Sequence, residues 1–262
     1  MDLGLKGKCA LVTGGSMGIG KAAALALAAE GCRVAIGARG QEALAQAAGD
    51  IGRQAQSEVL TVQADCTKPA DIRRMVGEVL ERFGRIDILV NSIGSAISGH
   101  FLRLTEEAWR DSLELKLFGI VRCCREVIPH MQRQRWGRIV NLIGHRGRQP
   151  ETQAMPAGVA NAGLINFTKA LADEFVRDGI LINGVSPCPM QTRRLDYMVK
   201  AKAAMMNISE EAAREEFLRD IPIGRFAQPH EIAPLIAFLA SERNTYISGT
   251  TISIDGGATR AA

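Results

Sequence analysis

Residues Thr13-Gly14-Gly15-Ser16-Met17-Gly18-Ile19-Gly20 lie between an apolar run, Cys9-Ala10-Leu11-Val12, and an apolar-rich segment that continues to Glu30 before Gly31. Strand, glycine turn and helix in that order give the glycines a purpose. They carry no Cβ, so a diphosphate can approach the backbone. The helix N-terminus then offers N–H donors and a partial positive charge. The spacing is T-G-x-x-x-G-x-G, not G-x-G-x-x-G.

Strand and helix signals alternate through the rest of the chain. Strands are expected at 9–13, 33–38, 58–64, 87–91, 138–143, 180–185 and 250–254. Most are short continuous apolar runs, as expected where helices cover both faces of a parallel sheet. Helical spacing fills the intervals. Thr67-Lys68-Pro69 marks one helix start, Gly84 its stop, and Thr105-Glu106-Glu107 another start whose carboxylates suit the helix dipole. The pattern predicts one α/β domain over residues 1–262, a Rossmann-type doubly wound parallel sheet of about seven strands, with ligands at the carboxyl ends of the strands. One stretch breaks the alternation. Residues 193–219 read as two short helices, about Arg194–Met206 and Ser209–Arg219.

Other features narrow the class by exclusion. A net charge of +4 is too small to argue for nucleic acid. Arg133, Arg135, Arg138, Arg146 and Arg148 cluster locally, a pattern that reads as a solvated basic face. The six cysteines, at 9, 32, 66, 123, 124 and 188, make no C-x-x-C pair for zinc, and no metal site is expected. They read as reduced core thiols in a cytoplasmic protein, Cys9 and Cys32 within strands. Met1-Asp2-Leu3-Gly4-Leu5-Lys6 lacks the charged and apolar regions of a signal peptide, and no apolar stretch is long enough for a bilayer.

The glycine turn, Asn91-Ser92-Ile93-Gly94, Asp65, the loop Ser186-Pro187-Cys188-Pro189-Met190-Gln191-Thr192, and the C-terminal Ile221-Pro222-Ile223-Gly224-Arg225 and Asp255-Gly256-Gly257 together resemble the short-chain dehydrogenase/reductase family over nearly the whole chain, with 3-oxoacyl-carrier-protein reductases the nearest likeness. The resemblance implies a nicotinamide dinucleotide held by Gly14, Ser16, Met17, Gly18, Ile19, Gly20, Arg39, Asp65, Cys66, Asn91, Gly94, Asn161 and Thr192. It makes 193–219 a mobile substrate lid. It also implies a homotetramer built on Val121–Met131, Leu164–Phe175 and Ile252–Ala258. The second strand ends Ile36-Gly37-Ala38-Arg39, with no carboxylate for an adenosine ribose. Arg39, helped by Ser16, can instead pair with a 2′-phosphate. NADP is therefore expected ahead of NAD, although Met17 stands where NADP-preferring relatives often have a second arginine.

The family's proton chemistry uses Ser, Tyr, Lys and Asn. Here the matching positions read Gly144, Ala157, Asn161 and Lys116, and the interval from 144 to 157 matches without a gap. Ala157 has nothing to titrate and Asn161 no charge. Tyr197 lies in the expected lid, and Tyr246 reads as structural. The candidates to move a proton are Lys116, whose pKa would fall on burial, and His145. Arg146 and Arg148 would favour a carboxylate or phosphate on the substrate if either faces the cleft. Cys188 replaces a glycine and reads as a small packing residue. Three functions stand open. One is an NADP(H)-dependent oxidoreductase for a small carbonyl or alcohol with a non-standard proton relay. The second is a dinucleotide-binding protein without hydride chemistry, and the third a lyase or isomerase on the same scaffold.

Overall fold

The computed structural model describes residues 2–94 and 97–260; Met1 of the N-terminal stretch discussed above lies outside them. In chain order the elements are β1 (Cys9–Thr13), α1 (Gly18–Ala29), β2 (Arg33–Ala38), α2 (Gln41–Ala55), β3 (Val59–Gln63), α3 (Pro69–Phe83), β4 (Ile88–Asn91), α4 (Glu106–Leu113), α5 (Gly119–Gln134), β5 (Gly137–Leu142), α6 (Met155–Phe175), β6 (Ile180–Pro187), α7 (Arg193–Met206), α8 (Glu210–Arg219), α9 (Pro229–Leu239) and β7 (Thr251–Ile254). The strands form one parallel sheet in the order β3-β2-β1-β4-β5-β6-β7.

The continuous apolar runs are explained by burial on both faces. Every residue of β1, β4 and β5 is buried. Successive side chains point to opposite faces of a strand. Ala10, Val12, Ile88 and Val90 therefore pack with Leu27 of α1, Leu44 of α2 and Ile232 of α9. Leu11, Leu89 and Ile139 pack on the other face with Ile72 of α3, Ile120 of α5 and Leu164 of α6. Truncating fully buried Leu11 or Leu89 to alanine would cost about 2–5 kcal/mol.

The helix boundaries follow the expected chemistry. Pro69 opens α3, and Gly84 closes it in the left-handed region at φ 76°. Thr105 caps α4 by accepting from the Ala108 N–H. Strand β1 lies between β2 and β4, and the connections on its two sides cover opposite faces of the sheet. A crevice opens there at the carboxyl ends of the strands.

The interruption at 193–219 is indeed a helical pair. α7 and α8 share a small apolar cluster of their own, with Leu195, Val199, Ala213 and Phe217, apart from the two main cores. Ser209 caps α8 by accepting from the Ala212 N–H.

Two expectations need correction. The arginine cluster is not one solvated face. Arg138 is buried, stacks on Trp136 at 4.4 Å, and donates to the carbonyls of Gly137, Gly179, Ser241 and Asn244. Arg146 is buried as well. Alternation along a strand and the turn after it face these side chains inward, which a count of local charges does not show. Cys32, in turn, precedes β2 and does not lie within it. Among the described residues all six cysteines are free and buried, and no helix is long and apolar enough to cross a membrane.

Candidate active site

A cleft of about 860 Å³ runs along the carboxyl ends of the strands. Its walls include Gly14, Ser16, Met17, Gly18, Ile19, Arg39, Cys66, Gly94, Lys116, His145, Asn161 and Thr192. Three other expected cofactor residues are not part of this lining. Gly20 packs on the turn itself, where a Cβ would lie 2.2 Å from the Gly14 carbonyl oxygen. Asn91 donates to Asn141 Oδ1 at 2.9 Å and accepts from the Thr13 hydroxyl at 3.2 Å, tying the ends of β1, β4 and β5. Asp65 accepts from the Thr67 N–H and hydroxyl at 3.0 and 2.8 Å. Burial would raise its pKa, but these bonds outweigh that and hold the carboxyl below its usual range.

At the β1 end, close approach of backbone requires the glycines. Gly14 has φ +69°, donates to the Gly37 carbonyl at 2.7 Å, and would place a Cβ 2.3 Å from the Ser92 carbonyl oxygen. Gly18 has φ +55° and faces only Thr192 across the cleft. The N-cap of α1, Met17, is extended and its side chain caps nothing. The first N–H groups of α1 are thus left for an anionic ligand, and no acidic residue occupies that turn. At the end of β2, exposed Arg39 lines the cleft, and its carbonyl accepts from Gln63. A phosphorylated dinucleotide fits this donor set.

The ends of β4 and β5 form a different surface. Between α4 and α5 the chain makes a π-helical turn, Glu114–Phe118, a kind of irregularity often found at functional sites. It carries Lys116 across Gly94, where a Cβ would stand 2.8 Å from Lys116 Cδ. The Lys116 ammonium donates to the carbonyls of Leu142 at 2.5 Å and Ile93 at 3.1 Å. Lys116 as a residue is half-buried, but its charged end is desolvated. That desolvation, with Arg194 adding repulsion, brings its pKa down to about 7.

Gly144 and Asn161 interlock beside it. The Gly144 N–H donates to Asn161 Oδ1 at 2.9 Å, and a Cβ on residue 144 would lie 2.9 Å from Asn161 Nδ2. Ala157 presents only a methyl group. His145 donates to the Pro187 carbonyl; burial, helped by Arg146, lowers its pKa and leaves it neutral at pH 7. Cys188 lines the cleft as a thiol, its pKa pushed up to about 11 by burial. Of the two arginines after His145, buried Arg146 lines the cleft and Arg148 is exposed. Tyr197 is 63% exposed and outside the lining, and Tyr246 is 99% exposed, so neither phenol replaces the one missing at 157.

The sequence did not single out Arg194 or His230, which both line the cleft. Arg194 follows Thr192 closely enough for the loop motif to have pointed to it. His230 had no such signal, because α9 reaches the cleft only through tertiary packing on α1.

A family model described as enoyl-(acyl carrier protein) reductase matches residues 14–259. The 3-oxoacyl-acyl-carrier-protein reductase FabG of Vibrio cholerae is 37% identical over 256 residues, covering 97% of this chain and 98% of that protein. Its counterpart in Staphylococcus epidermidis is 35% identical over 250 residues, at 95% and 98% coverage. The chain belongs to the short-chain dehydrogenase/reductase family. Among solved members of this fold, L-sorbose reductase from Gluconobacter frateurii, complexed with NADPH and L-sorbose, superposes with a TM-score of 0.93 at 32% identity over 100% of both chains. An actinorhodin polyketide ketoreductase with NADPH also gives 0.93, at 32% identity and 97% of both.

Proposed function

We propose that this short-chain dehydrogenase/reductase is an NADP(H)-dependent oxidoreductase that interconverts a carbonyl and an alcohol, with Lys116 handling the proton. The uncapped N-terminus of α1 and the glycine turn would hold the diphosphate. Arg39 and Ser16 would take the 2′-phosphate, and Thr192, in the loop after β6, would hold the carboxamide and diphosphate. The reduced cofactor, when bound, supplies the hydride. The relatives' NADPH complexes support this choice of dinucleotide.

The observation that carries the reading is the placement of the Lys116 ammonium in the cleft, held by the carbonyls of Ile93 and Leu142 and desolvated there, which brings its pKa down to about 7. A group with that pKa holds and releases a proton readily at working pH. The carbonyls of Ile93 and Leu142 fix its position. In reduction, Lys116 Nζ gives a proton to the substrate oxygen; in oxidation, the neutral amine takes it back. His145, neutral and bonded to Pro187, would relay that proton to solvent or orient the substrate. The α7–α8 pair, with its separate core, would serve as the lid that excludes water. Assembly as a homotetramer through α5, α6 and the β7 end is part of the same reading.

The test is consumption of NADPH with a panel of small aldehydes and ketones, wild type against Lys116→Met. Turnover that is lost in the variant, with NADPH binding kept, supports the reading. NADPH binding without turnover of any carbonyl would make the chain a dinucleotide-binding protein. A wild-type rate unchanged in Lys116→Met would remove Lys116 from the mechanism.

A further inference from the structure

Asn161, on the cleft side of α6, is 6% exposed, and half of its amide is already committed. The Gly144 N–H donates to its Oδ1 at 2.9 Å. Only the oxygen of the amide can accept, so this bond also fixes which way the amide is turned. Nδ2 is left over. Among the described residues it meets no acceptor, and it is not sealed in the interior, so it opens onto the cleft. A donor packed this closely cannot swing out to bulk water, and holding it without an acceptor is costly. The protein supplies the donor; a ligand must supply the acceptor.

Lys116 offers a second such donor. Its ammonium has three N–H bonds. Two go to the carbonyls of Ile93 and Leu142, at 3.1 and 2.5 Å, and the third has no partner among the described residues. Lys116 and Asn161 are anchored to one short segment. Ile143 donates to the Val185 carbonyl, on the β6 side, at 2.8 Å. Alternate peptide groups of an extended chain face opposite edges, and Gly144 is extended at φ −90°, ψ 153°. The Leu142 carbonyl and the Gly144 N–H therefore face the other edge together, toward β4, within about 7 Å of chain. In front of the two donors α6 presents only the methyl group of Ala157, one turn before Asn161. The room that a larger side chain at 157 would fill is open to a substrate.

We propose that Asn161 Nδ2 and the third N–H of Lys116 together receive the substrate's carbonyl oxygen, which makes Asn161 a catalytic residue. The assignment rests on the carbonyl reductase reading above and adds the group that stabilises the oxygen before the proton arrives. As the carbonyl carbon gains the hydride of NADPH, the C=O π electrons move to oxygen. Two preset donors meet that charge without reorganising. The Lys116 proton then completes the hydroxyl, NADP⁺ is released, and solvent returns a proton to the lysine. Gly144 takes part through its backbone. Its N–H holds the amide, and a Cβ there would lie 2.9 Å from Nδ2 and push the donor aside. The phosphates of a dinucleotide do not reach this pair, because the glycine turn and Arg39 stand at the ends of β1 and β2, across β4.

4-Nitrophenol reads the donor pair without turnover, since its absorbance distinguishes phenol from phenolate and its charged oxygen mimics the developing alkoxide. Titrated into the NADP⁺-loaded protein at pH 6, it should bind as the phenolate. Asn161→Ala should weaken that binding by about tenfold or more, the worth of one hydrogen bond to a charged group. The same variant should lower kcat for carbonyl reduction by about 10²–10³-fold with a smaller change in KM. NADPH affinity should stay within about threefold of wild type. Asn161→Leu, which keeps the volume, makes the same test if the alanine variant does not fold. A merely structural asparagine would move Tm and leave the bound phenolate unchanged, and that result would overturn the donor pair while the reductase reading stands. A wild type that binds only the neutral phenol would overturn it too. So would a loss of NADPH affinity larger than the loss of phenolate affinity, because the amide would then serve the dinucleotide. Phenolate bound in an Asn161-dependent way, with no carbonyl ever reduced, would keep the donor pair and overturn the reductase reading.

Discussion

The two halves of the cleft are built on different principles. At the ends of β1 and β2, backbone does most of the work: a glycine turn, an open helix N-terminus and one arginine. Those positions follow the family's pattern closely. At the ends of β4 and β5, side chains would carry the proposed chemistry, and the positions aligned with the family's motif read Lys116, Gly144, Ala157 and Asn161. Backbone sites tolerate little change, because Gly14 or Gly20 given a Cβ would strike carbonyl oxygens at 2.3 and 2.2 Å. Side-chain sites can be rebuilt if neighbours move in concert. Here they have. Asn161 occupies the space a side chain at 144 would need, and Lys116 occupies the space above Gly94.

The largest effect should come from breaking the rebuilt half. Lys116→Met should lower kcat/KM for carbonyl reduction by about 10²–10⁴-fold, the usual worth of a positioned general acid. NADPH affinity, measured by fluorescence titration, should change by less than about threefold, since the dinucleotide half is untouched. The wild-type profile sharpens the point. Reduction needs the ammonium form, so kcat/KM should fall as pH rises through about 7, where the group loses its proton. A flat profile between pH 6 and 9 would separate Lys116 from the proton step.

Next in size is a change confined to the dinucleotide half. Ala38→Asp with Arg39→Ala supplies a carboxylate for ribose hydroxyls and removes the cation for a 2′-phosphate. The ratio of NADPH to NADH affinity should fall by about 10–100-fold, the worth of one or two hydrogen bonds to a charged group. Tm should stay nearly constant, because Arg39 is exposed. An unchanged ratio would move 2′-phosphate recognition away from the end of β2.

A smaller effect probes the interlock. Gly144→Ser alone should destabilise the protein by about 1–3 kcal/mol, the cost of overpacking, because its Cβ would meet Asn161 Nδ2 at 2.9 Å. Asn161→Ala should remove much of that penalty when added to Gly144→Ser. A double-mutant cycle by urea unfolding reads the coupling directly. Additive effects would mean that the two residues do not share the space. By the same logic, restoring a serine alone should not restore the family's usual proton relay.

How much the chain disclosed beforehand also divides along the cleft. The sheet was legible because strands buried on both faces must be apolar throughout, and β1 and β2 have the expected bounds, residues 9–13 and 33–38. The α7–α8 pair was legible from the break in alternation. The glycine turn was legible because strand and helix flank it. Burial of Arg138 and Arg146 was not, since Arg138 depends on carbonyls of the distant residues Gly179, Ser241 and Asn244 and Arg146 on the carboxylate of Glu151. Nor was the π-helical turn Glu114–Phe118, which has no glycine or proline inside its bounds to announce it and which aims Lys116 at the carbonyls of Leu142 at the end of β5 and Ile93 in the loop after β4. Gly20, Asp65 and Asn91 were assigned to cofactor contact from motif alone; Gly20 and Asn91 are buried against the turn and the strand ends, and Asp65 is half-buried between two residues that line the cleft.

The smallest predicted effect isolates the electrostatics of the rebuilt half from its chemistry. Lys116 has a folded-state pKa of about 7 in place of 10.5. Below pH 7 the amine is protonated in both folded and unfolded chains, and the folded protein bears the full cost of holding a charge in poorly solvated space. Between about 7 and 10.5 the unfolded chain binds a proton that the folded one does not, so stability contributed at this position rises with pH. Above that window the difference vanishes. Lys116→Met should therefore be more stable than wild type at pH 6, by about 1–2 kcal/mol once water in the open cleft has reduced the full penalty, with the gain shrinking toward pH 10. Urea unfolding at pH 6, 8 and 10 measures this as a difference between two curves, in which shared thiol and carboxylate titrations cancel. Parallel curves would mean that the Ile93 and Leu142 carbonyls fully offset the loss of water around the ammonium. In that case the lysine would be a structural bridge between β4 and β5, and the two halves of the cleft would differ in sequence without differing in electrostatic strain.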